Sequence, residues 1–349
     1  MKKNYNKNGV GEWSELKLQC IKKYLGAYAN IMYYGRFPEF YFLDLFASEG
    51  ICKSRKTDKL MQGSPLISLS VQPSFSRYFF CDLDKEKVKV LQNIRDKSPL
   101  KNKIEIFDGD CNQKVDEILV SIKTSTPFIA LLDPQAGDLN WSTIEKLSRF
   151  NKSEVLINFP FGMAINRYLP LSEGGEFTLD LKNKLNEIFG NDKWELIYKE
   201  RIKGSIGPDE ARRKYLELYL TELISLGYKY YAVKDLRNSK NVHLYYLIFG
   251  TKNRKGLEKM KDAFVEGEKN RNNLFFRQDL TQKIYKVFKD SGVVSLDAIL
   301  EKLLAGTHNY KVQDFKEALK VLEKENKLVR ISLRKNARSF NMDDSFKIV

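Results

Sequence analysis

The 349-residue chain is poor in the residues that build disulfides and zinc sites. Its four cysteines lie far apart and form no C-x-x-C pair: Cys20, Cys52, Cys81 and Cys111. Because structural zinc sites and disulfide frameworks need grouped thiols, buried and inert cysteines are expected instead. Only two histidines are present, and one of them, His243, lies in an apolar run typical of a buried strand. The sequence therefore predicts no metal site and no chemistry centred on histidine.

Long apolar runs are also missing. No window approaches the roughly 20 consecutive apolar residues that a membrane-spanning helix requires. The first residues, MKKNYNKNGVGEWSEL, lack the apolar segment that follows the lysines of a secretion signal. We therefore expect a cytoplasmic protein without membrane contact.

Positive charge is what the sequence has in excess, with 60 lysines and arginines against 45 acidic residues and a net charge of +15. This balance favours a polyanionic partner, most often nucleic acid. The alternative is a lysine-rich surface without a ligand, as AT-rich genomes commonly encode. The length and a hydrophobic fraction of 42% predict one large and one small domain.

Strands alternate with helices through the first two-thirds of the chain. After an amphipathic helix over 12–34, strands are predicted at 40–46, 77–81, 103–107, 128–132 and 154–159, with helices between them. Such interleaving indicates a parallel sheet with helices on both faces. Two later strands, 228–233 and 243–249, are the antiparallel pair that closes a seven-stranded, Rossmann-like methyltransferase sheet.

The last 76 positions follow a different order. A helix ends at Gly292 and a strand covers 293–294; Asp297 caps a second helix, a third covers 313–324, and a hairpin joins 328–333 to 339–342. Three helices followed by a two-stranded wing predict a winged-helix domain. The predicted organisation is an N-terminal tail and helix (1–34), a Rossmann-like domain (35–273) and a winged-helix domain (274–349).

Acidic residues follow four successive strands of the predicted sheet. Since ligands of open α/β sheets bind at the carboxyl ends of the strands, these acids are candidate ligand contacts. Asp44 can bind an ammonium, and the backbone after it can approach a ligand through Phe46, Ala47 and Gly50. Asp82 can accept both ribose hydroxyls of a nucleoside, and Asp110 can accept from an adenine amino group.

The fourth acid belongs to Asp133-Pro134, which is the candidate reacting end of the site. Each acid alone has a simpler interpretation, as a helix N-cap or a solvated loop carboxylate. Together the four predict a site for a nucleoside-type cofactor. No GxxxxGK[ST] motif is present, which argues against a P-loop NTPase. The lysine-rich insert 53–62 could fold over the site as a lid or contact a substrate phosphate.

The winged-helix region holds the candidate nucleic-acid contacts. They lie on its third helix and at the tip of its wing: Lys311, Lys316, Lys320, Arg334, Lys335 and Arg338. Ammonium and guanidinium groups in such places suit phosphate contacts. The helix also carries acids, including Asp314 and Glu317, so a solvated face or a surface for a protein partner is the alternative.

A resemblance covers nearly the whole chain. The strings LDLFASEG, GSPL, CDLDKEK, DGDCN, LLDPQAGDLNW and LINFP occur in this order, and GTHNYKVQDFKEALKVLEKENKL lies near the C-terminus. Together they resemble the three-Cys-motif partner (TcmP) family. These are methyltransferase-like bacterial proteins, often encoded beside a radical-SAM-like protein that bears the three cysteines. The resemblance implies a class I methyltransferase fold, S-adenosylmethionine (SAM) at the strand ends and a three-Cys-motif partner.

Two motifs depart from the family pattern. Relatives usually read DLFAGPG, whereas this chain has Ser48 and Glu49 in place of the second glycine and the proline. Asp133-Pro134 resembles the start of the D-P-P-Y motif of amino-methyltransferases, although Gln135 and Ala136 follow it. Phe159 or Phe161 could supply the missing stacking ring, with core packing as the alternative.

Two functions follow from these patterns. One is a SAM-dependent methyltransferase that acts on nucleic acid, with Asp133 and the Pro134 carbonyl next to the acceptor nitrogen. The other is a catalytically inactive module that keeps the fold and binds nucleic acid or the three-Cys-motif partner. A nuclease is a remote third interpretation, because the carboxylates are present but a D-x-[DE]-x-K spacing is not.

Overall fold

A computed structural model of the chain describes residues 11–55, 57–162, 164–170, 178–265, 274–331 and 339–349, with the backbone alone for 274–277. The chain divides into two units between Asn253 and Arg254. The predicted boundary after residue 273 falls later than this division. No helix in the described ranges is long and apolar enough to cross a bilayer.

The first unit contains nine strands and eight α-helices within its described residues. The strands are β1 (Tyr41–Asp44), β2 (Ile51–Lys53), β3 (Leu60–Gln62), β4 (Arg77–Asp82), β5 (Ile104–Asp108), β6 (Phe128–Leu132), β7 (Ser153–Phe159), β8 (Tyr230–Arg237) and β9 (His243–Thr251). The helices are α1 (Glu12–Tyr34), α2 (Ser64–Ser70), α3 (Lys85–Lys97), α4 (Cys111–Val120), α5 (Trp141–Ser148), α6 (Leu179–Phe189), α7 (Trp194–Ile202) and α8 (Pro208–Ser225). Short 3₁₀ turns cover Lys101–Lys103 and Ile165–Tyr168.

Seven of these strands form one sheet in the order β5-β4-β1-β6-β7-β9-β8. The first five are parallel, and β9 runs antiparallel to both β7 and β8. All four residues of β1 are buried although successive side chains point to opposite faces, so both faces of the sheet are covered. The strand order reverses next to β1, which is the topological switch point of such sheets. The predicted Rossmann-like sheet of seven strands, closed by an antiparallel pair, is confirmed.

Helix α1 packs on the sheet through a row of aromatic rings. Tyr28 stacks on Phe75 at 5.9 Å between ring centroids, and Tyr24 meets Phe249 edge-on at 4.9 Å. Burying a ring of this size stabilises the fold by roughly 1.5–3 kcal/mol. The helix, which the sequence predicts as a separate N-terminal segment, therefore shares the core of the large unit.

Two local predictions for this unit are wrong. The sequence predicts a polar loop between the first strand and the helix at 64–70. The structure has an antiparallel hairpin of β2 and β3 there, with Ile51 opposite Gln62. Each of these strands has only three residues, which is too few for an alternating apolar pattern to reveal it. Helix α2 begins at Ser64 with Gly63 as its N-cap, whereas the sequence predicts Ser64 in that place.

The second unit contains α9 (Arg254–Phe264), α10 (Leu274–Phe288), β10 (Val293–Ser295), α11 (Leu296–Leu303), α12 (Val312–Lys324), β11 (Leu328–Arg330) and β12 (Ser345–Ile348). Its strands form an antiparallel sheet in the order β10-β12-β11. From α10 onward the order is helix, strand, helix, helix, strand, strand, as the sequence predicts. The winged-helix identity of this unit stays a prediction, and residues 332–338, where the sequence predicts the tip of the wing, lie outside the described residues.

Two boundaries in the second unit differ from their prediction. The N-cap of α11 is Ser295, whose hydroxyl accepts from the Ala298 N–H at 3.1 Å, while Asp297 pairs with Arg254. The last strand covers 345–348 instead of 339–342. Phe346 and Ile348 alternate as fully buried residues, and this burial selects the register.

A buried acid lies near the amino end of β7. Glu154 accepts hydrogen bonds from the Tyr24 hydroxyl at 2.5 Å and the Thr251 hydroxyl at 2.7 Å. Burial raises the pKa of Glu154 to about 7, and these two hydrogen bonds only partly oppose it. Both carboxylate oxygens thus have protein partners.

We predict that Glu154→Gln becomes more favourable to stability as the pH rises. The pKa of Glu154 is higher in the folded than in the unfolded state, so the contribution of this acid to the free energy of unfolding is fully present below pH 4.5. That contribution decreases as the pH rises from 4.5 through 7. The free energy of unfolding of the variant relative to wild type should increase by about 2–3 kcal/mol between pH 5 and pH 8, measured by urea denaturation. Removal of the exposed carboxylate in Glu145→Gln is the control, and an equal difference at both pH values would contradict the prediction.

Candidate functional site

Four acids lie at the carboxyl edge of the parallel sheet. Asp44 ends β1 and Asp82 ends β4, while Asp110 and Asp133 follow β5 and β6. Their charges act on one another: besides burial, Asp133 and Asp82 raise the pKa of Asp44. After burial, the largest contributions that raise the pKa of the Cys81 thiol, to about 12, come from Asp82 and Asp110. The structure therefore brings the four sequence-predicted acids to one edge.

Asp44 is the most buried of these acids, with no exposed surface. Its Oδ1 lies 3.4 Å from the Phe46 N–H, but Oδ2 has no hydrogen-bond partner among the described residues. Burial raises the pKa of Asp44 to about 7, and the Ser64 hydroxyl and the Phe46 N–H only partly oppose this rise. An oxygen in this state favours a proton or a positively charged ligand.

Asp82 holds the loop that follows β1. Its Oδ2 accepts from the Ser48 N–H at 2.8 Å, and its Oδ1 accepts from the Asp84 N–H at 2.8 Å. The Lys87 ammonium lies 3.8 Å from Oδ2. A carboxylate has about four acceptor positions, so these contacts leave room for the ribose hydroxyls that the sequence predicts.

The loop itself is closely packed. Ala47 is buried and its N–H donates to the Cys81 carbonyl at 2.9 Å, while Gly63 N–H donates to the Gly50 carbonyl at 2.7 Å. A Cβ on Gly63 would come within 3.1 Å of the Gly50 backbone, so a larger residue would require this backbone to shift. Ser48 adopts a φ of 57°, a left-handed conformation that disfavours a side chain. The predicted contacts 46, 47 and 50 lie on this strained, rigid turn.

Asp110 caps a helix. Its Oδ1 accepts from both the N–H and the side-chain amide of Asn112, each at 2.9 Å, at the start of α4. The Asn112 side-chain oxygen accepts from the Asn140 N–H at 3.0 Å, which ties the end of β5 to the start of α5. The capping interpretation of this acid therefore holds for Oδ1, and the proposed adenine contact would use Oδ2.

Asp133 has two partners that the sequence analysis missed. The Lys17 ammonium, on α1, lies 2.6 and 2.8 Å from its two oxygens, and the Asn158 amide donates to Oδ1 at 2.8 Å. The Lys17 and Asp133 side chains are 11% and 24% exposed, so solvent screens the pair only in part. Lys17 also lies 5.6 Å from the centre of the Tyr245 ring. The candidate reacting end thus consists of an ion pair between Lys17 and Asp133 and an amide hydrogen bond from Asn158.

Asn158 is a polar residue inside the apolar strand β7, and this contrast is a signal that the sequence did offer. Its side-chain nitrogen lies 3.5 Å from the carbonyl of Pro134, the second predicted catalytic residue. Its Oδ1 is buried and has no partner among the described residues. Lys17 gives no comparable signal, because many lysines face solvent on amphipathic helices.

The aromatic rings proposed for base stacking lie in the core. Phe159 is 4.4 Å from Tyr219 between ring centroids, and Phe161 is 5.3 Å from Tyr215. Both phenylalanines are buried. The core-packing alternative is the one that the structure shows.

The basic candidates of the second unit are only partly described. Lys311 precedes α12 and its N–H donates to Asp314 at 2.8 Å, while Lys316 is half-buried and Lys320 is exposed. Lys316, Lys320 and Lys324 recur every four residues, so they share one side of α12. Arg334, Lys335 and Arg338 lie outside the described residues.

No family model and no curated protein matches the chain. Among solved structures, it is similar to protein LPL1258 of Legionella pneumophila, of the DUF519 family, at 14% identity over 49% of this chain and 74% of that one, with a TM-score of 0.34. A protein of Methanococcus maripaludis, named as an S-adenosyl-L-methionine-dependent methyltransferase, is 15% identical over 69% and 94%, with a TM-score of 0.28. The StiE O-MT, residues 942–1257, is 12% identical over 64% and 71%, with a TM-score of 0.26. With TM-scores below 0.5, these likenesses carry no argument about function.

We predict that Lys17 and Asp133 are energetically coupled. Lys17→Met leaves a partly buried carboxylate without its cation, which should lower the free energy of unfolding by about 2 kcal/mol. Asp133→Asn should have a similar effect, and the double variant should lose about 1–3 kcal/mol less than the sum. Urea denaturation of the four proteins measures the cycle. Additive losses would show that the two groups do not interact.

Proposed function

We propose that the protein is a SAM-dependent methyltransferase. The observation that carries the proposal is the buried Asp44 Oδ2, which lacks a partner among the described residues and lies in a cluster of acids. SAM presents a sulfonium and an ammonium, and either positive group would compensate Asp44 better than a neutral ligand does. The sheet topology supports the same assignment.

The residues at the carboxyl edge suit the parts of this cofactor. The closely packed turn with Ala47 and Gly50 would lie against the amino-acid tail, and Asp82 would hold the ribose hydroxyls. Oδ2 of Asp110 would accept from the adenine amino group. Bound SAM supplies an electrophilic methyl group, whereas the chain binds, orients and excludes water.

At the reacting end, Asp133 and Pro134 themselves supply hydrogen-bond acceptors. Asp133 Oδ2 and the Pro134 carbonyl can each accept from a nitrogen that carries hydrogens. Attack by such a nitrogen requires mainly orientation and a place for the released proton. We therefore propose an amino nitrogen as the methyl acceptor.

The positive charge of the chain and the lysines of α12 support nucleic acid as the acceptor. The resemblance to the TcmP family adds a second proposed partner, a protein with the three-Cys motif. In this proposal the second unit is a winged helix that binds nucleic acid, and the first unit carries out the chemistry.

One observation favours the alternative, a binding module without turnover. The Lys17 ammonium already holds both oxygens of Asp133, where an acceptor amine would bind. If this pair does not rearrange, SAM would bind without being consumed. Labelled SAM incubated with total RNA and DNA distinguishes the two functions, since only an enzyme leaves the label on the nucleic acid.

We predict that SAM binding releases a proton from Asp44. Below its pKa of about 7 the carboxyl group is protonated, and an approaching positive charge favours the ionised form. SAM affinity should therefore rise by about tenfold from pH 6 to pH 8, and calorimetry in buffers of different ionisation enthalpy should detect proton release near pH 6.5.

Asp44→Asn should bind SAM more weakly. It should also lose the proton release that comes from Asp44, and any proton release from the amino group of SAM should remain. Glu154→Gln is a matched control, because Glu154 also is a buried acid with a pKa of about 7 but lies at the other end of the sheet. The proposal fails if SAM gives no binding heat, or if both variants release protons as wild type does.

We further predict that the α12 lysines contact phosphates. Replacing Lys316, Lys320 and Lys324 by glutamine should weaken binding to a duplex and reduce the slope of log K against log salt by about 2–3. Fluorescence anisotropy with a labelled duplex at several salt concentrations measures this slope. The triple variant Lys85→Gln, Lys97→Gln, Lys101→Gln removes equal charge from the first unit and should leave the slope nearly unchanged. Equal effects of the two triples would show a general effect of net charge.

A further inference from the structure

Asn158 has an amide whose two ends have different surroundings. Its nitrogen donates to Asp133 Oδ1 at 2.8 Å and lies 3.5 Å from the Pro134 carbonyl. The opposite orientation of the amide would place its oxygen against these acceptors, so chemistry fixes the assignment. Oδ1 therefore points away from Asp133, and it is buried without a partner among the described residues.

A count of acceptor positions shows what the reacting end can still bind. Asp133 Oδ1 already accepts from Lys17 and Asn158, whereas Oδ2 accepts from Lys17 alone. A carboxylate oxygen and an amide oxygen each accept two hydrogen bonds. One position on Asp133 Oδ2 and both positions on Asn158 Oδ1 thus remain for a ligand. A buried amide oxygen that stays unpaired costs free energy, so a donor from the ligand would be favoured.

The charge of Lys17 restricts what this donor can be. A protonated alkylamine would lie close to a second ammonium whose hydrogen bonds to Asp133 measure 2.6 and 2.8 Å. A neutral amino group brings two N–H donors without that repulsion, and an O–H group brings only one donor. The free acceptors therefore match a neutral amino group better than the other two.

We propose that Asn158 determines the acceptor of this methyltransferase, by holding Asp133 through Nδ2 and accepting an N–H of a neutral amino group through Oδ1. This inference rests on the proposed function and deepens it. In the reaction the amino nitrogen forms the new N–CH₃ bond while the S–CH₃ bond breaks and sulfur keeps its electron pair. The proton then leaves the nitrogen for Asp133 or water.

Two cofactor analogues test the inference without a known acceptor. Sinefungin carries an alkylamine, which is protonated at neutral pH and still donates N–H groups, where SAM carries its methyl group, and S-adenosylhomocysteine carries nothing there. The ratio of their affinities, measured by calorimetry, reports the hydrogen-bond acceptors around that position. The contribution of Lys17 to the ratio is common to wild type and variants, so a change in the ratio isolates Asn158.

We predict that Asn158→Leu lowers the sinefungin preference about tenfold, since it removes the acceptor and the donor. Asn158→Asp keeps an oxygen acceptor but cannot donate to Asp133, so the preference should persist or increase while methyl transfer falls. Asn158→Ser, which removes the amide oxygen but keeps a small polar side chain, replaces the leucine variant if that one does not fold. Asn140→Leu removes another buried amide oxygen without a partner, in contact with Asn112 and not with Asp133, and should leave the ratio unchanged.

Each remaining outcome contradicts a defined part of the proposal. An equal loss of preference in Asn158→Leu and Asn158→Asp would show that Asn158 only positions Asp133. An unchanged ratio in every variant, with S-adenosylhomocysteine still bound, would overturn the inference and leave the proposed function standing. Failure of wild type to bind either compound would overturn the proposed function and the inference with it.

Discussion

The candidate site depends on negative charge concentrated at one edge of a buried sheet. Parallel strands end on the same side, so the acids that follow β1, β4 and β6 come close together. In a medium of low dielectric constant, such charges persist only with partners. Asp82 accepts hydrogen bonds from backbone N–H groups, and Asp133 forms an ion pair with Lys17. Asp44 lies near both acids, and its Oδ2 has no hydrogen-bond partner among the described residues. The three acids therefore differ in their hydrogen-bond and ion-pair partners within one site.

The contrast between Asp44 and Glu154 shows why a raised pKa is not by itself a sign of function. Burial brings both acids to a pKa of about 7. Hydroxyl groups of Tyr24 and Thr251 occupy the two oxygens of Glu154, so that acid is a satisfied part of the core. Asp44 leaves an oxygen unpaired at the switch point of the sheet. The unpaired atom, and not the shift, distinguishes a candidate binding group from a structural one.

Much of the fold follows from the sequence because it depends on local patterns. Alternating apolar strands and amphipathic helices predict the parallel sheet, and the strand ends then place Asp44, Asp82, Asp110 and Asp133 on one edge. The partners of these acids depend on tertiary contacts instead. Lys17 reaches Asp133 across 116 positions, and no periodicity in α1 marks that lysine among its neighbours. Likewise, β2 and β3 have three residues each, which is too few for a period-two pattern to detect.

The net positive charge and the acidic site have opposite electrostatic preferences, and together they restrict the substrate. If nucleic acid is the substrate, as proposed, the net positive charge would attract it over long distances, whereas the acids at the strand ends offer its phosphates an unfavourable environment at close range. In the proposed function, an uncharged part of such a polymer would enter this site more easily than a phosphate. A base that leaves the stack and presents its amino group meets this requirement, while its backbone stays outside. The electrostatics of the whole chain and the free acceptors of Asn158 thus point to the same kind of acceptor.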